Sequence, residues 1–270
     1  MTKTMKMVSA SKFKRAYKAQ ANSLDYAFRL QELISRLSLA SGQSNHPLIR
    51  HKKLPGKVLV ILFTSDKGLC GGFNNNLIRK LRNWLKENHY KYHHISMGFC
   101  GRRGYMAFRK SQDVVKYYEE VTLKPNFPDA QKIADDLSNF YLIGEYDEVY
   151  LAYNHFNGPL SQTPMIEKFL PLDPAALLKG AKPQKADYHY EPDQGELISF
   201  LIPKFINFKV FFTLLENSAG EHGARMSAMD KASQNTAELI DRYTLLRNRA
   251  RQASITKELI EIISGAETLK

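Results

Sequence analysis

The stretch Ser65-Asp66-Lys67-Gly68-Leu69-Cys70-Gly71-Gly72-Phe73 follows an apolar, β-branched run and precedes a helical pattern. Phosphate-binding loops sit at that position, because a glycine-rich turn exposes backbone N–H groups at a helix N-terminus. Anion or nucleotide binding is the chemistry it would support. However, no Lys followed by Ser or Thr closes the loop, Lys67 precedes the glycines, and the Gly-x-Gly-x-x-Gly spacing is missing. The stretch is therefore read as a tight structural turn, with nucleotide binding kept as the alternative. Gly101-Arg102-Arg103-Gly104 offers two guanidiniums to an anion, or is a solvated turn. His89, His93 and His94 cluster without a carboxylate or cysteine at metal-ligand spacing, and no Gly-x-Ser-x-Gly elbow occurs. Cys70 and Cys100 are too few for a disulfide framework or a zinc site, so buried free thiols in a reducing compartment are expected. No catalytic residue, cofactor or metal is expected.

The elements that would position these groups follow from hydrophobic spacing. The chain has 270 residues, 43% hydrophobic and 24% charged, enough for a core and about two domains, and unlike a disordered or collagen-like chain. Its longest unbroken apolar run, 58–63, falls far below the ~18 residues of a spanning helix, so no membrane span is expected. The start is basic without the apolar segment of a secretory signal, which suits a cytosol-like compartment. Between Thr2 and Ser41 there is neither Gly nor Pro, and Leu24, Ala27, Leu30, Ile34 and Leu37 recur at helical spacing, predicting one helix. Strands are predicted at 57–64, 94–100, 113–118, 148–156 and 165–172, and helices at 75–88, after Gly101, and at 129–143. That alternation is the pattern of an open, parallel, Rossmann-like α/β sheet.

From residue 194 a second long helical pattern runs to 263, with interruption expected at Pro203 and loosening around Gly220 and Gly223. Its later part carries a seven-residue repeat: Met229, Thr236, Tyr243 and Ala250 on one line, Ala232, Leu239, Leu246, Ala253 and Ile260 on the other. The expected architecture is a long antiparallel coiled coil of N- and C-terminal helices with the α/β sheet inserted. Its parts are 1–42 for the first shaft helix, 57–172 for the α/β domain, 173–193 for a loop or foot, and 194–270 for the second shaft helix. A rod with a globular foot is a mechanical shape.

The net charge is +12, and residues 1–57 hold 12 basic and 2 acidic side chains, nearly all of the excess. Such a stripe suits nucleic acid, an anionic membrane surface or an acidic protein groove. Near the other end Arg247, Arg249 and Arg251 crowd before Gln252, Ser254 and Thr256, a set suited to carboxylates on a partner.

Four segments make the chain recognisable: Lys3-Thr4-Met5-Lys6-Met7-Val8-Ser9-Ala10-Ser11-Lys12, the 65–73 loop, Ala224-Arg225-Met226-Ser227-Ala228-Met229, and Arg251-Gln252-Ala253-Ser254-Ile255-Thr256-Lys257-Glu258-Leu259. Together they resemble the γ-subunit family of F-type ATP synthases over essentially the whole chain. The resemblance implies a non-catalytic rotor shaft inside a ring of α and β subunits, with its α/β domain near the ε subunit and the membrane c-ring. Proton flow would turn the c-ring and shaft, and the asymmetric shaft would drive the β sites through open and closed states. By motif matching it implies β contacts at Arg251, Gln252 and Thr256 above and at Met5 and Arg225 below, and a foot for ε and the c-ring at Tyr190-Glu191-Pro192-Asp193. No nucleic acid partner is implied. The expected place is peripheral, on the cytoplasmic face of a bacterial inner membrane, with an organellar inner membrane as the alternative. The family carries some 20 further helical residues before the Lys-Thr-Met-Lys-Met motif, so the native reading frame is expected to begin upstream of Met1. The cysteine insertion of the plastid relatives is absent, which argues against thiol control.

Overall fold

The computed structural model describes residues 1–40, 46–49, 56–174 and 193–267. Helix α1 is Thr2–Ala40, followed by β1 (Lys57–Phe63), α2 (Phe73–Asn88), β2 (His94–Cys100), α3 (Arg102–Phe108) and β3 (Asp113–Tyr118). Then come α4 (Phe127–Leu142), β4 (Glu148–Gly158), β5 (Ser161–Leu170) and the final helix α5 (Gln194–Glu267). The sheet runs β3-β2-β1-β4-β5. β1 pairs in parallel with β2 and β4, β2 pairs in parallel with β3, and β5 returns antiparallel on β4.

β1 shows why the sheet is buried on both faces. Its side chains alternate with the period of a strand. Val58, Val60 and Leu62 pack with Leu77, Ile78 and Leu81 of α2 and Phe108 of α3. Leu59, Ile61 and Phe63 point the other way, into a core shared with α4, α5 and the end of α1. Leu77 has no exposed surface. Leu77→Ala is expected to cost about 2 to 5 kcal/mol of stability, read as a lower urea midpoint with unchanged slope. α4 begins where Asn126 accepts a hydrogen bond from the Asp129 N–H at 2.8 Å, with Pro128 in the first turn where no N–H partner is needed.

The sheet is mixed, not purely parallel. β5 starts at Ser161, four residues earlier than its apolar stretch suggests, and includes Pro164. An edge strand tolerates a proline because one of its N–H rows has no ladder partner to lose.

The two terminal helices pack antiparallel. Lys6 of α1 pairs with Asp230 of α5 at 2.5 Å, and further along Tyr26 meets Phe208 edge-on at 4.5 Å. Leu30, Ile34 and Leu37 then join Ile198, Ile202 and Ile206 in the core. α5 runs unbroken for 74 residues, about 110 Å at 1.5 Å per residue, contrary to the expected interruptions. At Pro203 the lost hydrogen bond and ring clash are offset by burial of Ile202, Phe205 and Ile206 on either side. Gly220 and Gly223 do not loosen the helix; they let neighbours approach it. A Cβ at Gly220 would lie 2.9 Å from the Phe73 ring, and one at Gly223 would lie 3.0 Å from the Pro159 backbone. One window of α5, at mean hydropathy 1.6, is apolar enough to cross a membrane by length and composition alone, although no long unbroken apolar run exists. Its helix buries Ile202, Ile206, Val210 and Leu214 against the sheet instead.

Candidate functional site

Open α/β sheets hold ligands beyond the carboxyl ends of the strands, where the strand order reverses. Here that point lies between β1 and β4, and α5 fills it. Asn217 Nδ2 donates to the Thr64 carbonyl at 3.2 Å, and Glu216 faces His155 Nδ1 at 2.9 Å. Both α5 side chains are buried. The glycine-rich loop is tied to the helix that follows it: Ser65 N–H donates to Asn74 Oδ1 at 3.0 Å, and Asn74 Nδ2 donates to Ser65 Oγ at 2.7 Å. It is a structural turn whose would-be ligand crevice is occupied by a helix. Among the described residues no three His, Cys, Asp or Glu side chains converge as a metal site. Cys70 and Cys100 are buried free thiols, and burial pushes both above the ordinary thiol range.

On its outer side the same loop meets both shaft helices around a cavity of about 440 Å³. Met5, Val8 and Lys12 of α1, Lys67 and Leu69 of the loop, Arg103 of α3, and Glu221, His222 and Arg225 of α5 line it. Arg225 is the clamp. Its Nε donates to the Gly68 carbonyl at 3.1 Å, and one terminal nitrogen reaches the Lys67 carbonyl at 3.2 Å and Glu221 Oε1 at 2.7 Å. The other donates to His222 Nδ1 at 3.2 Å. Held this way, Leu69 takes a left-handed φ of 62°, costly for a branched residue, and its side chain is 60% exposed at the rim.

Burial pushes the Glu221 carboxyl up, with Arg225 opposing. Burial, reinforced by the charges of Arg225 and Lys12, holds His222 down at about 4. An accepting Nδ1 requires the neutral ring, in agreement. Between pH 6.5 and about 4 the unfolded chain therefore takes up a proton that the folded imidazole refuses. His222 contributes stability above pH 6.5 that is lost as the pH falls toward 4. Thermal melts at pH 7 and pH 4.5 should show a smaller drop for His222→Gln than for the parent; an equal drop would contradict this environment.

Met5 and Arg225, assigned together to the lower contact, do line one cavity, although Arg225 is nearly sequestered, its side chain 10% exposed. Arg251, Gln252 and Thr256 are exposed on α5, with Thr256 Oγ1 donating to the Gln252 carbonyl at 2.9 Å. They lie some 26 residues from Arg225, about 39 Å along the helix. Asp193 caps α5, accepting from Gly195 N–H at 3.0 Å. Tyr190, Glu191 and Pro192 lie outside the described residues. Sequence reasoning passed over Lys12 and Glu221 as site residues, and offered Arg103 only as part of a turn that either grips an anion or is solvated. Only the Glu221 to Arg225 spacing, one helical turn, could have pointed to the clamp.

The family described as ATP synthase matches residues 1–269. The ATP synthase gamma chain of Geobacter metallireducens is 42% identical over 270 residues, covering all of this chain and 93% of that protein. The chain belongs to the ATP synthase gamma-chain family. The gamma chain of Pelotomaculum thermopropionicum is 40% identical over 275 residues, again covering all of this chain and 93% of the relative. Among solved structures, a chain of the Tetrahymena thermophila mitochondrial ATP synthase central stalk and c-ring is similar at TM-score 0.60 and 27% identity, covering 86% of this chain and 99% of that one. A Euglena gracilis mitochondrial ATP synthase chain shares the fold at TM-score 0.58 and 18% identity, over 98% and 94% of the two chains. As a gamma chain, the molecule is a non-catalytic rotor subunit of a membrane-associated complex.

Proposed function

We propose that this gamma chain carries torque through one composite shaft and reads its rotary position into the β subunits at two levels. The observation that carries this is α5 itself. It is welded to α1 and the sheet over its first half, and every side chain from residue 234 to residue 265 is exposed. That exposed stretch includes Leu239, Tyr243, Leu246 and Ile260, an apolar seam that solvent alone would not favour. The partners are the α and β subunits of the head, the ε subunit and the membrane c-ring. Rotation brings each β in turn against a shaft whose faces differ, so differential contact shifts each β between conformations.

The upper level is Arg251, Gln252 and Thr256, where a solvent-facing guanidinium suits an acidic β loop. The lower level is the cavity bearing Met5, with Arg225 at its floor, supported by the excess of cations there. The segment from Tyr190 to Asp193 forms the foot toward ε and the c-ring, supported by motif resemblance. The parts are a first shaft helix over 1–42, the α/β domain over 57–172, the foot over 173–193 and the second shaft helix over 194–270. The bacterial relatives support a position peripheral to the cytoplasmic face of a bacterial inner membrane.

The purified chain is expected to hydrolyse no ATP, because a helix fills the crevice where an α/β sheet would bind it. Added to purified α and β subunits, it is expected to confer cooperative hydrolysis. Turnover by the chain alone, persisting after β is removed to below detection, would refute the assignment.

A further inference from the structure

Two arginines face the lower cavity, and their surroundings differ. Arg225 uses four of its five N–H donors on Gly68, Lys67, Glu221 and His222, and Glu221 already balances its charge. A carboxylate arriving from outside would have to break that set and reach a side chain that is 10% exposed. Arg103 is the opposite case. Its backbone N–H is anchored on the Ser65 carbonyl at 3.1 Å, while its exposed guanidinium has no hydrogen-bond or ion-pair partner among the described residues. That guanidinium lies against Gly68: a Cβ there would sit 2.4 Å from an Arg103 terminal nitrogen. Gly68 thus has its carbonyl gripped by Arg225 and its Cα covered by Arg103. Lys12 and Lys67, also exposed and without an ion pair among the described residues, border the same cavity.

We propose that Arg103, supported by Lys12, receives the carboxylate of β at the lower contact, and that Arg225 is a positioning residue that holds the glycine loop beneath it. The assignment rests on the reading that the Met5 cavity meets an acidic segment of β. The chemistry fits that occupant. Three unpaired cations surround an apolar wall of Met5, Val8, Leu69 and Leu123, so a segment carrying both carboxylates and apolar side chains is complementary. An unpaired guanidinium needs no prior contact broken, whereas Arg225 is committed to the loop.

Gly68→Ala gives a clean probe. Gly68 is not held at positive φ, and its predicted clash is with the far end of a flexible side chain. The variant should fold normally while displacing the Arg103 guanidinium. Complexes of α, β and each gamma variant, assembled with the membrane sector in vesicles, would be compared for ATP synthesis and for its dependence on NaCl between about 50 and 300 mM, where screening becomes substantial. Arg103→Gln is expected to lower synthesis about fivefold or more and to flatten the salt dependence; Arg103→Lys should recover most of both, and Gly68→Ala should resemble Arg103→Gln. Arg225→Lys is expected to keep the salt dependence while amide exchange at 67–70 accelerates. If Arg103→Gln and Gly68→Ala behave as the parent while Met5→Lys still uncouples, the lower contact stands and Arg103 is not its receiver. If Arg225→Lys removes the salt dependence with loop exchange unchanged, Arg225 itself meets β and the division of roles is overturned. If Met5→Lys also leaves coupling intact, the acidic-contact reading fails with it.

Discussion

Arg251→Ala is expected to reduce ATP synthesis by about tenfold or more, with no loss of chain stability. The size follows from truncating one partner of a desolvated charge pair, which costs roughly 2 to 5 kcal/mol at protein interfaces, against 1.4 kcal/mol per factor of ten. The selectivity follows from position. Arg251 is solvent-exposed, has no partner among the described residues, and lies in a helix where alanine is the most favourable replacement. Gln252→Ala should act in the same direction and more weakly, since it removes a neutral donor and acceptor and no charge. Synthesis rates in vesicles, normalised to assembled complex, and a thermal melt of the free chain are the two measurements required. Normal synthesis and assembly with Arg251→Ala would mean that the upper contact lies elsewhere on α5.

Met5→Lys is expected to leave ATP hydrolysis running while proton pumping per ATP falls severalfold. Met5 is 38% exposed beside the loop clamp, and a lysine there joins Lys12, Lys67 and Arg103 around the same cavity. In the free chain the extra charge is screened and costs little. Against an acidic segment of β it adds attraction in one rotary state only, and a state bound too tightly raises the barrier to leaving it. Hydrolysis and pumping therefore separate. Met5→Gln, which changes polarity without charge, should stay coupled. Equal pumping ratios for parent and Met5→Lys vesicles would remove the lower contact from the mechanism.

Mechanical coupling also explains why a helix covers the carboxyl edge of this α/β sheet. Two requirements compete for the carboxyl edge of β1 and β4: an open crevice for a ligand, or a surface on which a helix can be fixed. Asn217 and Glu216 of α5 take the second option, with the Thr64 carbonyl and His155 as their partners. Glycines in two connections shape the backbone around this edge. Gly101 takes a φ of 102°, and a Cβ there would lie 2.2 Å from the Thr64 carbonyl oxygen, so the β2–α3 turn can close only with glycine. Gly71 sits beside Ala228 of α5, at 3.7 Å from a built Cβ. Gly101 lets the β2–α3 turn close on Thr64, and the left-handed φ of 58° at Gly71 lets the glycine-rich loop turn beside the shaft.

The local pattern of the chain was legible without a fold. A stretch without Gly or Pro and with apolar residues at helical spacing can only be a long helix, and α1 begins at Thr2 and runs to Ala40 as that spacing requires. A short β-branched run bounded by turn residues marks β1, and the bare heptad seam after Met229 marks a helix face made for contact. These features depend on neighbours within one or two turns, so sequence alone determines them, and the shared motifs identified the family in the same way. Other properties depend on what the chain brings together from far apart. Pro203, Gly220 and Gly223 look like breaks, yet α5 is continuous, because long-range burial offsets a local penalty of a few kcal/mol. β5 is antiparallel and includes Pro164 because it lies at the sheet edge, a fact of topology and not of its residues. Arg225 and Arg103 read alike as cations in a line of text. Only the folded chain places one under two carbonyls and a carboxylate and leaves the other facing solvent, and the electrostatic role of an arginine is decided by that surrounding.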